Sequence, residues 1–205
     1  MRPPSTAWQE RIPPDEELHM KRVAEVIGAL HRSRSAKYGP GRTLHRKQLL
    51  ATTGTLEVLE GLPEHARHGL FASSGQHRVL ARFSNGGPEE QSARIPDIRG
   101  FALKIFDVAG PAALGGATDH QDFLMINQDR FLSRDSREFI DFMEAVTPGP
   151  VSGLVHLFKA YGLNGAAARV RELLAALGKK FNGFAAERFN TAAPSVAGLT
   201  RSRCA

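Results

Sequence analysis

The sequence predicts an α+β fold in which antiparallel strands occupy the middle of the chain and helices lie on either side of them. Two patterns carry this. Apolar residues alternate with polar ones, or form short apolar runs, near 52–59, 77–85, 99–107 and 122–127, each bounded by Gly-, Pro- or Ser-bearing turns. Helical spacing of apolar residues, with acidic or capping residues at the start, covers 15–33 and 132–179.

The chain has 205 residues, enough to bury a sizeable core in one domain, here placed over 15–190 between an arm (1–14) and a tail (191–205). With 41% hydrophobic and 23% charged residues the composition is that of a soluble globular protein. No run is long enough to span a bilayer and no apolar segment follows the first residues, so a cytoplasmic location without a membrane partner is expected. The single cysteine, Cys204, excludes an internal disulfide and any thiolate cluster for zinc or iron–sulfur. A net charge of +6 could suit nucleic acid, but the Lys and Arg residues are dispersed, and no nucleic-acid partner is expected.

Taken in order, Asp15-Glu16-Glu17 open a helix whose stripe is Leu18, Val23, Val26, Ile27 and Leu30, with basic residues at its end and a break at Tyr38-Gly39-Pro40-Gly41. In the first strand Leu56 and Val58 alternate with Thr55 and Glu57. His65 and His68 stand three apart; a metal pair is one option, but no nearby carboxylate or third ligand accompanies them, which favours a solvated surface pair. Phe123-Leu124-Met125-Ile126 reads as a short buried strand. Ser133 and Asp135 are helix-starting residues ahead of Phe139, Phe142, Met143 and Val146, and two further helical segments, 151–161 and 166–177, carry Leu, Val and Phe residues read as packing.

The strand from Arg78 is the most informative. Val79, Ala81 and Phe83 share one face, and Leu80, Arg82 and Ser84 the other. An Arg on a mostly apolar face needs an anion or water. One partner is a carboxylate of the chain such as Glu57; the other is an anionic ligand.

Arg82-Phe83-Ser84-Asn85, a Gly/Pro loop, and then Asp97-x-Arg99-Gly100-Phe101-Ala102-Leu103-Lys104 resemble the core of the haem catalases and their small catalase-related peroxidases. Upstream, Arg42-x-x-His45-x-Lys47 has the spacing that in this family places the distal histidine over the haem. The resemblance covers roughly 42–145 and implies an incomplete catalase-like barrel with flanking helices, haem b as cofactor, and peroxide as substrate. It implies that His45 is the catalytic base, that Ser84 bonds it, and that Arg42 and Arg82 hold the haem propionates. Such a base must be neutral, so that it can move a proton from one peroxide oxygen to the other while the O–O bond breaks. Without the resemblance, a histidine beside Arg46 and Lys47 would read as part of a basic surface turn.

The chain departs from the family's pattern in places. Gln48-Leu49-Leu50 replaces small residues after the histidine, and counting back from Leu124-Met125-Ile126-Asn127 puts His120, a third candidate catalytic residue, where the family has a distal asparagine. The family's iron ligand is a tyrosine with an Arg four residues before it; here the tyrosines are Tyr38 and Tyr161, neither in that setting. The tail 191–205 is expected to be irregular and read out of frame, so that the chain is a truncated family member. The alternative to a peroxide-consuming haem oxidoreductase is therefore a catalase-like fragment without haem, acting at most as a binding module. Homo-oligomers are compatible with either, through a sheet edge left unpaired.

Overall fold

The computed structural model describes residues 12–92, 94–112, 115–191, 195–197 and 200–202, so most of the expected arm and much of the tail lie outside the described residues. Helix α1 (Glu16–Tyr38) has Glu16 and Glu17 in its first turn and Lys37 in its last, matching the helix dipole, and ends at Gly39, whose φ of 85° is left-handed. Its inner stripe is His19 and Leu30, with Val23, Val26 and Ile27 half-buried. Leu18, expected on that stripe, is 70% exposed; His19 takes its place because Nε2 finds Ser136 Oγ at 2.9 Å.

Strands β1 (Gln48–Val58), β2 (Gly75–Asn85), β3 (Arg99–Pro111), β4 (Ala117–Ile126) and the short β5 (Asn190–Thr191) form one antiparallel sheet in chain order. The sheet is open. Among the described residues β1 pairs only with β2, and β5 covers β4 only at Met125 and Ile126, so both edges carry unpaired backbone.

The register fixes two different faces. Val79, Ala81 and Phe83 lie beside Ile105, Leu103 and Phe101 on one face, where Val58, Leu70, Val79 and Ile105 form the buried cluster. Phe83 and Phe101 stack at 4.8 Å, and Phe184 and Phe189 close over them at 4.6 and 5.5 Å, bringing the C-terminal segment beneath this end of the sheet. Such ring pairs each add about 0.5–1.5 kcal/mol beyond burial. The opposite face carries Leu80, Arg82 and Ser84 beside Lys104, Ala102 and Gly100. That face is open: Leu80 is 42% exposed and Leu124, expected in a buried strand, 63%. β4 alternates instead, because only one side of this sheet is packed.

Helix α2 (Ser136–Val146) starts as expected: the Asp135 carboxylate accepts from the Glu138 N–H at 2.8 Å, and the Glu138 carboxylate accepts from the Arg134 N–H. Helix α3 (Pro150–Leu177) contains the two expected segments, separated at Gly162, whose φ of 66° interrupts the helical backbone. Leu157, Ala166 and Ala176 are buried, whereas Val151, Leu154, Val155 and Phe158, read from sequence as packing, remain exposed. Near the end, Ser195–Ala197 (β6) and Thr200–Ser202 (β7) pair antiparallel, where the sequence reading expects no strand. Val196 and Thr200 are β-formers, a local signal outweighed in that reading by the lack of alternation. No helix among the described residues is long and apolar enough to cross a membrane.

Candidate functional site

The site is built at the end of the sheet where β2 ends and β3 begins, by a loop that folds back over it. Leaving α1 at Gly39, the chain runs along the end of β2, where the His45 N–H donates to Gly86 O (3.0 Å), the Arg46 N–H to Gly87 O (3.3 Å), and the Asn85 N–H to Lys47 O (3.1 Å). These bonds extend the β1–β2 ladder and hold His45 in a left-handed conformation (φ 49°), uncommon for a residue with a side chain. Backbone held in such a region tends to occur where the surrounding structure fixes it for a purpose.

The His45 ring lies against the open face. Its Nδ1 is 3.1 Å from Ser84 Oγ, a residue of β2 with no exposed surface. Below the ring is Gly100 of β3, register partner of Ser84. A Cβ at Gly100 would stand 2.6 Å from the ring's Cε1 and 2.8 Å from Ser84 Oγ, and closer still to Nδ1, so only glycine lets the ring lie flat there. Burial, then Arg82, then Arg42, lower the pKa of His45 to about 4, while a hydrogen bond with the Asn85 backbone acts weakly the other way. The imidazole is therefore neutral at pH 7.

Arg82 is half-buried and Arg42 exposed, and both lie near His45. Burial, followed by the charge of Arg42, lowers the proton affinity of Arg82. Among the described residues, Arg82 donates to Gln48 Oε1 at 3.4 Å and neither guanidinium has a carboxylate partner. The Glu57 pairing open at the sequence level is not formed: Glu57 stands opposite Gln76, far along β1 from Ala51, which faces Arg82. Two cations and a neutral base thus border an open, partly apolar sheet face, a setting suited to an anionic ligand with an apolar body.

The structure brings His45, Ser84, Arg82 and Arg42 together but leaves His120 elsewhere. His120 pairs with Phe106, whereas Gly100, under the His45 ring, pairs with Ile126. Six strand residues separate the two positions, roughly 20 Å. There Nδ1 of His120 meets Asp119 Oδ1 at 2.9 Å on the surface. The pairing runs without interruption from Gly100↔Ile126 to Phe106↔His120, so the position reached by counting back lies well along the hairpin from the His45 ring. His65 and His68 lie at and just after a short 3-10 turn, and no group of three potential metal ligands occurs among the described residues.

Three supporting residues were not singled out from sequence. Gly100 carries a signal, since a glycine inside a strand marks close approach of another group. Gln48 donates through Nε2 to His45 O at 2.8 Å while accepting from Arg82, and Arg46, buried within the loop, reaches Glu90; the Arg82 and Glu90 contacts join residues distant in sequence.

The catalase family model matches residues 24–162, which include all of these residues. Among solved structures, a bacterial catalase superposes with a TM-score of 0.55 at 16% identity, over 95% of this chain and 35% of that one, so the chain spans about a third of that catalase's length. Comparison with curated proteins finds no match. The fold and the family match agree, and the chain belongs to the catalase family.

Proposed function

We propose that this chain is a catalase-like unit that consumes hydrogen peroxide or an organic hydroperoxide with haem as cofactor. The observation that carries the reading is a neutral His45, bonded through Nδ1 to Ser84 and flanked by two guanidiniums that have no carboxylate partner among the described residues. Haem fits that donor set: Arg42 and Arg82 would pair with its propionates, and the open face with Leu80 and Leu124 would receive apolar surface. Bound haem would supply the redox chemistry, the electrons that cleave the O–O bond.

The chain's own part is proton transfer. With its proton on Nδ1, His45 donates to Ser84 Oγ and keeps the Nε2 lone pair free. Nε2 would take the proton from one peroxide oxygen and return it to the other, which leaves as water or alcohol, so His45 ends neutral as it began. Arg42 and Arg82 oppose protonation of His45, which keeps the base form available.

A second reading, a catalase-like unit that takes up no haem by itself, is favoured by one observation. Both tyrosines are engaged away from this face, Tyr38 donating to Glu89 and Tyr161 to Glu138. Titrating the purified chain with haem separates the two. A Soret band with peroxide consumption that His45→Ala lowers by about 10²–10⁴-fold, with the band retained, is the expected result. No Soret band at saturating haem leaves the second reading, and undiminished turnover in His45→Ala removes the base assignment.

A further inference from the structure

Arg46 sits at the place in the Arg-x-x-His-x-Lys spacing that carries no assigned role, yet its side chain is only 1% exposed. A buried guanidinium persists only where its donors are matched, and this one is matched on every side. Nη1 donates to Arg42 O at 3.0 Å, Nη2 to Gly39 O, and Nε to Glu90 Oε1 at 3.1 Å. Its carbon lies 5.5 Å from the centre of the Tyr38 ring. Gly41 leaves it room: a Cβ there would be 3.1 Å from the guanidinium.

These contacts tie together three pieces of chain: the end of α1, the loop carrying Arg42 and His45, and the 86–97 connection at Glu90. His45 is the residue directly before Arg46, so the clamp and the two backbone bonds to Gly86 and Gly87 act on one short segment.

We propose that Arg46 is a positioning residue that locks the loop in the conformation placing the His45 ring on Gly100 and Ser84. Lysine cannot replace it, because one ammonium cannot present a planar fork to Gly39, Arg42 and Glu90 together. The inference concerns the histidine used in the proposed reaction and rests on that reading only for what the histidine is then used to do. The positioning itself is independent of haem.

The test follows the His45 ring by NMR pH titration in the full chain without haem. The groups that face the ring are Arg42, Arg82, Ser84 and the Asn85 backbone, all unchanged in the variants. Wild type should titrate near pH 4. Release of the loop in Arg46→Ala exposes the ring, and its proton affinity should rise at least about tenfold, toward the ordinary imidazole value of about 6.5. Arg46→Lys should give a smaller rise and decides the matter if the alanine variant does not fold. Arg169→Lys perturbs a distant, partly buried network with Glu138 and Glu172, so it should lower thermal stability while leaving the His45 titration in place. A folded Arg46→Ala, or failing that a folded Arg46→Lys, with the wild-type titration overturns the proposal. So does a control variant that shifts His45 as much as the Arg46 variants do.

Discussion

Replacing Gly100 by alanine tests whether the His45 ring and the sheet are in the contact described. The added methyl would lie 2.6 Å from Cε1 and 2.8 Å from Ser84 Oγ. Carbon atoms in contact sit about 3.5–4.0 Å apart, so the ring must retreat by about 1 Å or more. Ser84 is fully buried in β2 and the backbone beneath the methyl is held by pairing on both sides, so the strain falls on the His45 ring and the Ser84 hydroxyl. The ring therefore moves, and its 3.1 Å approach to Ser84 is lost. Overpacking of this kind costs about 1–3 kcal/mol. Gly54→Ala in β1 is the internal control, because its Cβ would meet only a Val79 methyl at 3.6 Å, an ordinary contact. Urea unfolding should show the loss for Gly100→Ala and no comparable loss for Gly54→Ala. A Gly100→Ala protein with wild-type stability and an unshifted His45 titration would refute the contact.

Acidification offers a second check. His45 has a folded pKa of about 4 and an unfolded value of about 6.5, so between these the unfolded chain binds more protons. Stability should be full above about pH 6.5, fall as pH drops toward 4, and level off below, by at most about 3 kcal/mol. His45→Ala should abolish that part of the slope in denaturant midpoints measured against pH. Asp135→Ala removes the side-chain acceptor for the Glu138 N–H and should cost about 1 kcal/mol in the same assay, without altering the His45 titration.

Much of the sheet was legible because its alternation is strict where one face is packed and the other open. Val79, Ala81 and Phe83 against Leu80, Arg82 and Ser84 is readable from residues alone, and the observed register agrees with it. The His45–Ser84 pair, 39 residues apart, was legible only through family spacing, since no local pattern links a basic turn to the end of a strand. Arg46 was not legible at all: its acceptors are two backbone carbonyls and Glu90, which no residue-type pattern encodes. His120 failed for another reason. Counting positions along a strand assumes that the strand meets the site at a fixed distance from its end, and here regular pairing from Gly100↔Ile126 to Phe106↔His120 carries His120 six residues away from the His45 ring. On α3 the apolar spacing was read correctly as helix but wrongly as core, because periodicity shows which residues share a face and not whether anything covers it.

The two arginines and the histidine have one further relation that follows from the order of the effects on His45. Arg42 and Arg82 lower its proton affinity, but burial is the larger cause. A carboxylate-bearing ligand that pairs with the guanidiniums would offset their charge and by that alone make His45 more basic. The same ligand would cover the open face and remove water from around the ring, which acts in the opposite direction. The two changes oppose each other, and burial, the larger of the lowering causes, remains when the arginines are paired. A histidine flanked by cations is thereby compatible with an anionic ligand beside it, since pairing the arginines removes only the smaller causes of its lowered proton affinity.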